Sequence, residues 1–194
     1  MIKKIISSAA LMLFILILSS CSGRGESQAY IRPVPDEEQT NSGHFIEGSF
    51  SYRLPSGSQG LTVSMEIYEN GKQRGDAIPL GSLSGEGDLN ITADFSVSRS
   101  ELIWFANENH AEVPLTFPSD SMVDFHAVMT EAEFEALPDE AIRSFSNSIV
   151  LACVGFSPVD EGIQPTSCAS MMTDWDSQLS RYAYAQILRV YLPE

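Results

Sequence analysis

The chain has 194 residues and a formal net charge of −15, with 26 acidic side chains against 11 basic ones. This length suits one domain with a substantial apolar core. The charge excludes nucleic acid as an expected partner, because contacts to phosphate need clustered Lys and Arg. The simplest interpretation of the charge is that it keeps the protein soluble.

The first twenty residues have the features of an export signal. Lys3 and Lys4 precede an uncharged, apolar stretch over residues 5–18. This stretch has the length of a signal-peptide core and is shorter than the roughly 20 apolar residues that a transmembrane helix needs. It ends at Leu18-Ser19-Ser20-Cys21, directly before a polar segment. We therefore expect cleavage at this boundary.

The sequence Leu18-Ser19-Ser20-Cys21 resembles the lipobox of bacterial lipoproteins. The resemblance implies that residues 1–20 are a signal peptide and that Cys21 receives diacylglycerol, with a further acyl chain such as palmitate on the new amine. Two or three chains hold a protein durably on a bilayer. The alternatives are an ordinary secretory signal peptide and an uncleaved anchor, and either would also export the body.

The lipobox resemblance also implies a location in the cell envelope, on the extracytoplasmic side of a membrane. Ser22 follows the cysteine, which in a Gram-negative cell implies the outer membrane; in a Gram-positive cell the anchor would lie in the cell membrane. Loss of Lys3 and Lys4 changes the net charge from −15 to −17. Anionic headgroups should repel such a body, so attachment is expected through the lipid alone.

Residues 21–43 are expected to form a lipidated, disordered tether. This segment contains Pro33, Pro35 and the acidic run Asp36 to Glu38, with almost no periodic apolar content. Such a composition does not repay the entropy of folding. The folded domain is therefore expected to span residues 44–194.

The body is predicted to be all-β. Apolar residues alternate with polar ones in the manner of half-buried strands, or form short apolar runs rich in branched and aromatic residues. The sequence Asn70-Gly71 favours a tight hairpin that leads toward Ala77-Ile78. In the strand at 89–97, Phe95 is predicted to face the core, as is Trp104 in the next strand. The predicted strands are 45–53, 61–69, the strand near 77–78, 89–97, 101–107, 122–129, 148–155 and 182–192.

One short helix interrupts these strands. Thr130 and Glu133 fit a capping box, Phe134 and Leu137 lie three residues apart, and a second turn is expected over 138–142. About eight strands with one helix indicate an antiparallel β-sandwich or a jelly-roll-like domain.

Two cysteines remain in the body, Cys153 and Cys168. An isolated pair outside the cytoplasm is readily oxidised, so we predict a disulfide that contributes on the order of 3 kcal/mol. The alternative is that Cys153, in an apolar strand, is a free buried thiol. A metal site is not expected here, because no paired cysteine motif or further ligand lies nearby.

Candidates for chemistry are few. His44, His110 and His126 are far apart in sequence, and no metal or catalytic motif includes them. In Asp174-Trp175-Asp176 an exposed Trp could stack on a sugar, while the acids accept hydroxyl hydrogen bonds or bind Ca²⁺. The alternative is a Trp folded back onto the sandwich.

The sequence thus predicts a lipid-anchored binding or interaction module without enzymatic activity or a required cofactor. Its ligand would be an envelope protein or a glycan. The alternatives are a hydrolase of an envelope polymer with two acidic catalytic residues, and an accessory subunit of an envelope assembly.

Overall fold

The computed structural model describes residues 29–35, 44–96, 99–115, 123–135, 148–158 and 166–191. The strands in these residues are β1 (Tyr30–Pro33), β2 (Ile46–Arg53), β3 (Leu61–Glu69), β4 (Lys72–Gln73), β5 (Ile78–Leu83), β6 (Glu86–Ser96), β7 (Glu101–Ala106), β8 (Asn109–Pro114), β9 (Val123–Met129), β10 (Phe134–Glu135), β11 (Ser148–Pro158) and β12 (Tyr184–Tyr191). Two helices, α1 (Cys168–Thr173) and α2 (Trp175–Leu179), lie between β11 and β12.

The strands form two antiparallel sheets. Sheet A has the order β10-β1-β2-β6-β7-β8, and sheet B has the order β4-β3-β12-β11-β9, with β5 also paired to β3. The predicted all-β sandwich is confirmed. Across the sandwich, β9 of sheet B contacts β2 of sheet A at one edge, and β5 contacts β8 at the other.

The core lies between the sheets. Alternate residues of each strand point inward, and fully buried ones include Met65, Ile91 and Leu188. Trp104 is also fully buried, as predicted, and its indole Nε1 donates a hydrogen bond to Gln186 Oε1 at 2.6 Å. This bond satisfies two buried polar groups and links β7 of sheet A to β12 of sheet B.

The predicted hairpin is confirmed. Asn70 and Gly71 have φ values of 49° and 75°, which is the left-handed conformation that a two-residue hairpin turn requires. The turn pairs Glu69 with Lys72, and β5 then returns along β3. One prediction in the next strand is wrong: Phe95 is 45% exposed, because it lies at the end of β6.

The N-terminal boundary of the domain differs from the prediction. Residues 30–33, which fall inside the predicted disordered tether 21–43, form β1 between β2 and β10. Ile31 of β1 is fully buried in the core. The few apolar residues of this segment, among them Ile31 and Val34, give too short a periodic signal to predict a strand, so the strand is specified by its neighbours in the sheet.

The predicted helix after Thr130 is also corrected. Over the described residues 130–135, Thr130 Oγ1 accepts a hydrogen bond from the Ala132 amide at 3.2 Å, and Phe134 and Glu135 pair with β1. Phe134 is buried. Burial of this ring and pairing with a sheet edge outweigh the local capping signal. Residues 136–142, the rest of the predicted helix, lie outside the described residues.

Helices α1 and α2 cover part of the outer face of sheet B. The Ser167 side chain accepts a hydrogen bond from the Ser170 amide and so caps α1. Between the helices and the sheet lies a second apolar cluster, which includes Met171, Leu179 and Tyr182. The Tyr182 ring lies against Gly155 of β11, where an added Cβ would come within 2.3 Å of the ring.

The predicted signal peptide, Cys21 and most of the predicted tether lie outside the described residues. Within the described part of the chain, neither helix has the length and apolar character needed to span a bilayer.

Candidate functional site

The sequence Asp174-Trp175-Asp176 lies at the junction of the two helices. Asp174 ends α1 and precedes α2, and both aspartates are exposed. Trp175 is half-buried, with its ring edge-on to Tyr68 at a centroid distance of 5.4 Å. The Arg189 guanidinium lies 4.2 Å from the Trp175 ring centroid. Trp175 is therefore folded onto sheet B, which was the alternative to an exposed stacking platform.

A buried ionic network lies next to Trp175 on the outer face of sheet B. Glu66 is only 3% exposed and accepts hydrogen bonds from Tyr68 Oη at 2.6 Å, from Arg189 Nη1 at 3.1 Å and from Tyr191 Oη. Arg189 also donates to Ser148 Oγ. Burial, aided by the bonds to Glu66, raises the pKa of the Tyr68 and Tyr191 hydroxyls. The tyrosines therefore stay protonated donors to the carboxylate.

The two oxygens of Glu66 are both used by these donors. A general acid or base needs an oxygen that can exchange a proton with a substrate. Glu66 and Arg189 therefore join β3 to β12 as a structural pair, which no sequence pattern predicts. Glu66 occupies a polar position in an alternating strand, which predicts an exposed side chain.

The predicted disulfide is corrected: Cys153 and Cys168 are both buried free thiols in the structure. They lie in the same apolar cluster between α1 and sheet B. The Cys168 thiol points to the carbonyl oxygens of Val128 and Leu151, at 3.8 and 3.9 Å. Burial raises the pKa of Cys168 to about 12 and also raises the pKa of Cys153. Both thiols therefore act as small apolar groups.

The three histidines lie on different strands or strand ends. His44 Nδ1 is 2.6 Å from Asp94 Oδ1 at the surface, and the hydrogen bond to Asp94 raises the pKa of His44. The His110 ring packs on Phe105, and His126 Nε2 is 3.2 Å from the Thr166 carbonyl oxygen. Among the residues that the structure describes, no three His, Cys, Asp or Glu side chains are grouped to hold a metal ion.

An open cleft lies where the chain leaves sheet B for sheet A. Its walls are three segments: residues 33–35 at the end of β1, residues 47–50 of β2, and residues 129–131 with Glu133, where the chain passes from β9 to β10. Its volume is about 440 Å³, within the range of about 300–1,000 Å³ that is usual for ligand pockets. We call it the β1 cleft.

Part of the lining of the β1 cleft is apolar, and we call this part its floor. It contains Pro33, Met129 and Val34, and Val34 is 43% exposed. The Met129 thioether lies over Gly48, where an added Cβ would come within 2.5 Å of the sulfur. Glycine at position 48 therefore leaves room for Met129 in the cleft lining. The flexible Met129 side chain can adjust to an occupant.

The exposed acidic residues of the lining form a second group, which we call the rim of the cleft. Glu47, Glu131 and Glu133 line it, and all three are exposed. Arg32 pairs with Glu133 at 3.9 Å and also with Glu135. A carboxylic acid that donates a proton near neutral pH usually requires desolvation. Exposed carboxylates instead attract cations.

Sequence reasoning missed the cleft because its three walls are separated by up to a hundred residues. A signal for the helices beside the ionic network was present. After Ser167, apolar residues follow one another at intervals of three, four and four: Cys168, Met171, Trp175 and Leu179. This is the spacing of an apolar helical face that begins after a capping serine.

Protein-family models, curated proteins and solved structures were compared with the chain, and none of them matches it.

Proposed function

We propose that this protein is a lipid-anchored lipoprotein of the bacterial cell envelope, whose β-sandwich binds a partner at the β1 cleft. The leader over residues 1–20 and the Leu18-Ser19-Ser20-Cys21 sequence support the anchor. The acidic body supports attachment through lipid, because anionic headgroups would repel its net charge of −17 after loss of the leader. The proposed location is the extracytoplasmic side of a membrane.

The observation that carries the binding role is the chemistry of the β1 cleft. Apolar side chains, including the partly exposed Val34, form its floor, and charged carboxylates form its rim. Pockets that bind ligands combine an apolar lining with a few polar groups that fix orientation. Because the rim glutamates are solvated, this arrangement favours binding over proton transfer by a pair of carboxyl groups.

The anchor is tested with Cys21→Ala in a bacterial host. Wild-type protein should incorporate labelled palmitate and sediment with membranes, since acyl chains supply the membrane affinity. The variant should lose the label and accumulate as an unlipidated precursor. Cys168→Ala is the matched control, and it should be labelled as the wild type is. Normal lipidation of Cys21→Ala would refute the proposed anchor.

The binding site is tested with a photoreactive amino acid at Val34, in the native host. The matched control position is Glu112, an exposed residue of β8 at the far edge of sheet A. A discrete crosslinked product at position 34, and none at position 112, is the expected result. Equal products at both positions, or none at either, would refute binding at the β1 cleft.

A further inference from the structure

We propose that the occupant of the β1 cleft is a segment of a partner protein in which Lys or Arg alternates with apolar residues. This inference rests on the proposed function and specifies the chemistry of its ligand. It follows from an apolar floor and an acidic rim that lie within a single cleft of about 440 Å³.

The floor selects for apolar groups in the ligand. Val34 is one of three large apolar side chains exposed among the described residues, and the other two, Phe95 and Phe125, are not in the cleft lining. Covering the exposed surface of Val34 and the Met129 thioether would remove apolar area from water, which favours binding. A free metal ion would leave this floor uncovered.

The rim selects for positive charge. Glu133 is partly compensated by Arg32, whereas Glu131 has no ion-pair partner among the described residues. A Lys or Arg in the ligand would therefore meet a carboxylate that pairs with no cation among the described residues, and its apolar stem could cover the floor. An anionic ligand such as a phosphate would be repelled.

A second copy of this chain is a poor occupant on the same grounds. After loss of the leader, Lys72 is the one lysine in the sequence, and the net charge is −17. Two such bodies repel each other at low ionic strength. The charge of the cleft is thus complementary to a basic partner, and self-association is one outcome that the test can reveal.

The test measures binding of three short peptides to the soluble body, residues 28–194, by calorimetry at low and physiological salt. The probe is acetyl-Lys-Val-Lys-Val-Lys-amide. One comparison peptide replaces Lys by Glu, and the other replaces Val by Ser. We expect the probe to bind most tightly, and salt to weaken its binding because the charges are exposed.

Variants of the body locate the interaction. Glu131→Gln should weaken binding of the probe by about threefold, the effect of one exposed ion pair, and Glu131→Lys by about tenfold or more. Val34→Ser should weaken binding of the Val peptide but not of the Ser peptide. Glu108→Gln is the matched control: it removes one exposed carboxylate in the turn between β7 and β8, and it should leave binding unchanged.

Three results would overturn the inference. Equal effects of Glu108→Gln and Glu131→Gln would show that the overall charge of the protein attracts the peptide. Equal affinity for the Lys and Glu peptides would show that the cleft does not select a positively charged ligand. Absence of binding, or dimerisation of the body in its place, would reject this ligand class. A crosslink at position 34 without probe binding would leave the proposed function standing while the inference fails.

Discussion

Glu66 is a carboxylate buried in a β-sheet, and a small number of neighbouring side chains replace the water that it would otherwise contact. Arg189 supplies the compensating positive charge, and two tyrosine hydroxyls donate to the carboxylate oxygens. Burying an unpaired charge is costly, whereas a paired and hydrogen-bonded one is tolerated. The pair therefore affects the free energy of unfolding mainly when one partner is removed, because the other charge is then buried without compensation.

Replacing Arg189 with Met should lower the free energy of unfolding by about 3 kcal/mol, because Glu66 would keep a buried charge without its cation. The double variant Glu66→Gln with Arg189→Met should be more stable than the single variant, since it removes that charge as well. Urea denaturation, with midpoints compared at constant slope, measures both.

The exposed pair Arg53 and Glu86 is the control for this prediction. Arg53 Nε lies 2.8 Å from Glu86 Oε2 at the surface of sheet A. Arg53→Met should leave the midpoint nearly unchanged, because solvent screens the charges. Equal losses in Arg53→Met and Arg189→Met would show that the buried network contributes nothing specific.

At the scale of single elements, β1 decides where the domain begins. Ile31→Ala should destabilise the soluble body by about 2–5 kcal/mol, because this side chain is fully buried between the sheets. Removing residues 21–43 should cost more, since sheet A would lose a strand between β2 and β10. Thermal and urea unfolding measure both changes.

Val34→Ala is the matched control for Ile31→Ala. It removes an apolar side chain three residues later that is 43% exposed, so the loss of stability should be well below that of Ile31→Ala. A body that starts at His44 and melts at the same temperature as one that starts at Ala29 would contradict the assignment of β1 to the domain.

How well each element could be predicted depends on how much of its signal is local. The strand at Leu61–Glu69 and the Asn70-Gly71 turn have strict alternation and a turn pair that requires positive φ, and both were predicted with these bounds. The strand β10 has the opposite character. Phe134 follows a local helix signal, and its strand pairing exists only because Ile31 lies opposite.

Across the whole molecule, buried hydroxyl and thiol groups should make the fold sensitive to alkali. Burial raises the pKa of Tyr182 to about 12, and it also raises the pKa of Tyr68, Tyr191 and Cys168. The unfolded chain loses these protons near the ordinary values of 9.0 for Cys and 10.0 for Tyr. The contribution of these groups to the free energy of unfolding is therefore fully present below about pH 9. It falls as the pH rises toward their folded-state pKa values.

Midpoints of urea unfolding from pH 8 to pH 11 check this prediction. The urea midpoint should fall steadily above pH 9. In Tyr68→Phe this fall per pH unit should be smaller, because the variant lacks one group that holds its proton in the fold. The change of the midpoint with pH is compared, and not the midpoint at one pH, since Phe also loses the hydrogen bond to Glu66. A midpoint independent of pH over this range would contradict the prediction.

The β1 cleft belongs to this largest scale, and for that reason no local pattern predicts it. Val34, Gly48 and Glu131 become neighbours only after β1 and β2 pair and the chain crosses from β9 to β10. From the sequence, Val34 is interpreted as part of a linker, Gly48 as part of a strand and Glu131 as part of a helix start. The sandwich class could be predicted from alternation, whereas the place where its two sheets leave an opening depends on the complete topology.

The assignment of β1 to the sandwich would also limit the distance between the domain and a membrane that holds the proposed lipid anchor. If Cys21 holds the acyl chains, seven residues, 22–28, lie between it and the described domain, so the path to Ala29 has eight Cα–Cα steps. Fully extended, they cover at most about 28 Å, roughly the thickness of a bilayer's hydrocarbon core. Since β1 also ends at the cleft, partners that dock there would have to approach within a few nanometres of the lipid surface, and those confined to distant parts of the envelope would be out of range.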